Sequence, residues 1–100
     1  MNPIEQIYVL RVIATAGEGS TGIVGERHAL IVLVREDSIE KAEQSAREAL
    51  QENSWGFPEI EEISPLNPKL ALSKTVEDAI SDAAVHGFSL IVFNDPIPKH

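Results

Sequence analysis

Gly17, Gly19 and Gly22 stand in the string Gly-Glu-Gly-Ser-Thr-Gly over residues 17–22, the spacing of a dinucleotide-binding loop. In such a loop the glycines let the backbone approach a pyrophosphate, and the third opens a helix whose N-terminus holds that anion. Here the glycines lead into the apolar run Ala29-Leu30-Ile31-Val32-Leu33-Val34, which reads as a strand, and Glu18 sets a negative charge between the first two. The string therefore reads as a flexible hairpin connection whose backbone N–H groups can still cradle an anion. Arg11 interrupts another apolar run, Ile7 to Ala14. A guanidinium there is suited to a ligand carboxylate or phosphate, or its stem lies along the sheet while its head reaches water. Arg11, Gly17, Gly19 and Gly22 are the candidate small-ligand residues.

Other chemistry is sparse. Asp78, Asp82 and His86 fall four apart and line one side of a helical segment. Asp82 and His86 could contribute to a metal site, but two ligands at a helix end do not close one. The hydroxyls are scattered over positions that suit caps and loops, and no two carboxylates are marked as a catalytic pair. No catalytic residue, metal site or cofactor is expected.

Charge is distributed unevenly. Residues 36–62 hold nine acids and two bases, a net of −7 within a total of −8. Trp55 and Phe57 lie inside this block, beside Glu59, Glu61 and Glu62. An aromatic anchor ringed by carboxylates is suited to docking on a basic protein; the plainer reading is a solvated acidic surface with Trp55 packed at a helix end.

The elements that must position these residues are legible in outline. Ile7–Ala14, Ala29–Val34 and Leu90–Phe93 are rich in β-branched residues and apolar on both alternating faces, as in interior strands. A first helix follows Asp37, which with Glu40 forms a capping box, and carries the stripe Ile39, Ala42, Ala46, Ala49 and Leu50. A second starts near Thr75, with Val76, Ala79, Ile80, Ala83 and Ala84 inward, and ends at Gly87. Between them Glu59–Ile63 does not alternate cleanly, so a strand there requires a bulge or an edge. Lys69–Leu72 is a candidate return strand after the turn at 66–69. With it, the plan is a two-layer α+β sandwich of ferredoxin-like order (strand-helix-strand-strand-helix-strand) preceded by an additional N-terminal strand. Without it, the order is ββαβαβ. Either version is expected to place both helices on one face, leaving an apolar face for a second copy of the chain, or for the 15–27 loop and the C-terminal tail.

One domain spanning 1–100 is expected from a chain of this size with 43% apolar and 24% charged residues. The absence of cysteine excludes disulfides and thiolate chemistry. The acidic balance argues against a nucleic-acid partner. The longest stretch free of Asp, Glu, Lys and Arg runs twelve residues, 83–94, well short of the ~20 of a membrane span; a cytoplasmic protein is the expectation. Three functions follow, in order. The first is a small acidic non-catalytic protein-binding module, of inhibitor, immunity or adaptor type, with a basic partner. The second is a dimeric domain sensing a small ligand. The third is a small enzyme with its pocket on the open sheet face.

Overall fold

Long apolar runs of β-branched residues satisfy their backbone only by pairing, and the first two pair with each other. Gln6–Ala16 (β1) and Arg27–Glu36 (β2) form a long antiparallel ladder. The chain continues through Ile39–Glu52 (α1), Trp55–Pro65 (β3), Lys74–His86 (α2) and Phe88–Val92 (β4). The computed structural model describes residues 6–66, 74–93 and 95–97. The sheet order is β3-β1-β2-β4, with every neighbouring pair antiparallel.

This α+β arrangement follows the ββαβαβ order. The ferredoxin-like order is not observed, and β1 is no appended strand: it lies inside the sheet, between β3 and β2. The return strand at Lys69–Leu72 lies outside the described residues. No described helix is long and apolar enough to cross a membrane.

The two-layer expectation also fails, for a reason visible in the strands. Even-numbered β1 and β2 side chains (Tyr8, Leu10, Val12, Leu30, Val32, Val34) pack with Ala42, Ala46 and Leu50 of α1. On the other face Leu33 packs with Ala79 and Ala83 of α2, joined by Ile7, Ile31 and Ile91. The helices thus cover opposite faces. Val32, Leu33 and Val34 are all buried in succession, which a strand achieves only when both its faces are covered. Tyr8 and Leu10, on the α1 side of β1, are 4% and 0% exposed inside this chain's own core. The apolar face that called for a second copy is filled in part by α2.

Local signals explain the element ends. Ser38, rather than Asp37, caps α1: its Oγ accepts the Lys41 N–H at 3.3 Å, while Asp37 takes the Lys41 ammonium at 3.1 Å. Gly87, at φ 95°, ends α2 and donates its N–H to Ala83 O, as a helix-terminating glycine does. β3 is an edge strand with register shifts opposite Arg11/Val12 and Ile13/Thr15. The extra residue at Glu61 brings Ile60 and Ile63, three apart, to the same face as α1, which a regular strand cannot do.

Candidate functional site

The loop between β1 and β2 is fastened to the core, contrary to the flexible connection its glycines suggest. Gly17 donates its N–H to Ser54 O at 2.7 Å, and Gly25 to Ala16 O at 2.8 Å. A Cβ at Gly17 would lie 2.8 Å from that same Ser54 oxygen, and one at Gly22 only 2.6 Å from Trp55 Cη2. These two glycines therefore permit close approach of the loop to the start of β3. Gly19, facing the Ser54 hydroxyl, completes the docked segment. The string leads into β2, so the helix that would hold a pyrophosphate does not follow it.

His28 holds the loop from below. It is fully buried, and its Nε2 accepts the Ile23 N–H at 3.1 Å. Because an amide can only donate, the ring proton resides on Nδ1, which donates to Phe93 O at 2.8 Å. One neutral ring thus joins the loop to the residue that follows β4. The Trp55 ring stands edge-on to it, with centroids 5.6 Å apart and planes at 78°, a favoured aromatic geometry.

A cleft of about 420 Å³ opens between this loop and β4. Trp55, Phe88, Leu90 and Val92 form its apolar lining. Gly19, Ser20 and Thr21 border it from the loop, and Asp82 and His86 from α2. Its size falls within the ~300–1,000 Å³ of ordinary ligand clefts. Ser20 is no free nucleophile: its hydroxyl donates to Gly17 O at 2.8 Å and accepts the Gly22 N–H at 3.3 Å. Among the described residues no group of three or more His, Cys, Asp or Glu is placed to hold a metal.

The remaining candidates are dispersed. Arg11 lies on the sheet face opposite the cleft, its side chain 59% exposed, and pairs with Glu62 at 3.3 Å. Glu59 pairs likewise with Arg27 at 3.4 Å. Trp55, 4% exposed, is a core residue and presents no surface anchor. Phe57 is 82% exposed at a left-handed backbone position, φ 48°. Glu61 occupies the β3 bulge and is exposed. The structure therefore brings Gly19 together with Asp82 and His86, which the spacing had left as separate motifs, and leaves Arg11 apart from them.

Sequence reasoning missed two features. The linking role of His28 has no short-range signal, because its partners are 5 and 65 residues away. That β4 has a single strand neighbour among the described residues follows only from the strand order. Comparison with protein-family models, with curated proteins and with solved structures returns no match.

Proposed function

We propose that this chain is a non-catalytic protein-binding module that receives a basic partner along β4. The observation carrying this reading is the placement of its carboxylates. Glu48 and Glu52 of α1 border a cleft with Arg35 and Phe88 on one side of β4, and Asp78 and Asp82 of α2 border another with Ser89, Leu90 and Ile91 on the other. No ion pair among the described residues engages these four, whereas Glu59 and Glu62 on β3 are matched by Arg27 and Arg11. An uncharged strand flanked by unmatched acids attracts a partner carrying apolar side chains with basic neighbours.

The test is capture of partner protein at low and at physiological salt by the wild-type chain and by two charge reversals. Asp78→Lys with Asp82→Lys should abolish salt-sensitive capture, because exposed charges act over a Debye length of about 8 Å at physiological ionic strength. Glu61→Lys with Glu62→Lys, on β3, should leave it intact. Equal capture by all three proteins refutes the reading.

A further inference from the structure

We infer that the partner binds as an added β-strand on the outer edge of β4, the side away from β2; this rests on the reading above and specifies its geometry. In an antiparallel ladder, alternate residue pairs exchange hydrogen bonds. Phe93 donates to Ala29 O at 3.1 Å and Arg35 to Gly87 O at 2.9 Å. With the register Ile31↔Ile91 and Leu33↔Ser89, this alternation directs the N–H and C=O groups of Phe88, Leu90 and Val92 away from β2. Among the described residues β4 has β2 as its one strand neighbour.

The two edges of this sheet differ in kind. β3 carries Pro58, Pro65, two register shifts and three glutamates, the devices that keep an edge from pairing. β4 reads Phe-Ser-Leu-Ile-Val and carries neither charge nor proline. A strand laid along it has its side chains opposite Phe88, Leu90 and Val92 on the Trp55 side, facing the apolar cleft. Its intervening side chains lie on the α2 side, beside Asp78 and Asp82. The edge thus fits an extended segment alternating apolar and basic residues, bound by backbone pairing with side-chain selection. A second copy fits poorly, since two chains of net charge −8 would oppose acidic flanks to acidic flanks.

The test uses the wild-type protein and an acetylated peptide alternating valine with lysine, with a matched peptide N-methylated at the amides that face β4. Binding of the plain peptide should slow amide exchange at Phe88, Leu90 and Val92 by about tenfold or more and leave Ser89 and Ile91 unchanged. N-methylation should weaken binding by about tenfold or more, the loss of two or more hydrogen bonds of ordinary net strength. Equal binding of both peptides overturns strand addition while leaving the acidic cleft as the docking site. Binding of neither overturns both. A protein that sediments alone as a dimer with the Leu90 amide already protected shows a second copy on the edge, and overturns the proposal too.

Discussion

Gly22→Ala puts the docking of the loop to a quantitative test. An added Cβ would stand 2.6 Å from Trp55 Cη2, 2.9 Å from Ala16 Cβ and 3.1 Å from His28 Cδ2. Carbon atoms prefer about 3.5–4.0 Å, so the methyl overlaps three neighbours at once. None of them yields readily, because Trp55 and Ala16 are 4% and 2% exposed and His28 is fully enclosed. The loop must lift instead, which strains the Ile23 N–H bond to His28 one residue further on. Overpacking of this kind costs about 1–3 kcal/mol, and in a domain of this size each kcal/mol lowers the melting temperature by about 4–8 °C. Trp55 is the single tryptophan, so its fluorescence follows urea unfolding of the wild type and of Gly22→Ala at the site of the clash, and far-UV circular dichroism follows all four members of the cycle, including those without it. Adding Trp55→Phe removes the offending ring atom, and the double variant should recover part of the loss, with a coupling of about 0.5 kcal/mol or more. An unchanged urea midpoint for Gly22→Ala, or strict additivity in the double variant, refutes the docked loop.

Two further outcomes follow from placements already described. Trp55→Ala should destabilise the fold by about 3–5 kcal/mol, measured by urea unfolding; a normally stable variant that had lost only its binding would return Trp55 to the surface. The Arg11–Glu62 pair, 59% and 57% exposed, should show a coupling of no more than about 1 kcal/mol in a double-mutant cycle. Phosphate binding abolished by Arg11→Ala would instead make this arginine an anion site.

The legible parts of the fold were those written in local periodicity. The β1 and β2 runs, the Ala42, Ala46, Ala49 and Leu50 stripe of α1, the Ala79 and Ala83 stripe of α2 and the stop at Gly87 each depend on a few neighbouring residues, and each appears within a residue or two of its expected place, whereas Ile39 and Ala84, expected to face inward with them, are exposed. The irregular alternation around Glu59–Ile63 foretold both outcomes it allowed, since β3 is an edge strand and is bulged. Layer assignment was less accessible. A strand that is apolar on both faces says that each face must be covered, without saying by what, and a helix with an alanine stripe fits either. Leu33 decides the matter only once it is seen against Ala79 and Ala83.

The acidic block shows why clustering along the chain differs from clustering in space. Residues 36–62 read as one surface of net −7, but strand alternation and the intervening sheet divide them. Glu59 and Glu62 face the side away from α1, where Arg27 and Arg11, counted with the neutral first third of the chain, match them. Asp78 and Asp82, counted with the nearly neutral last third, lie across β4 from Glu48 and Glu52. Tertiary structure thus gathers part of the unmatched charge at the margins of one strand, while Glu40 and Glu61 stay unmatched among the described residues elsewhere. That strand also presents outward-facing backbone groups and adjoins the apolar cleft lined by Trp55. In the strand addition proposed above, attraction, backbone pairing and side-chain selection meet at β4, although no single stretch of the sequence contains all three.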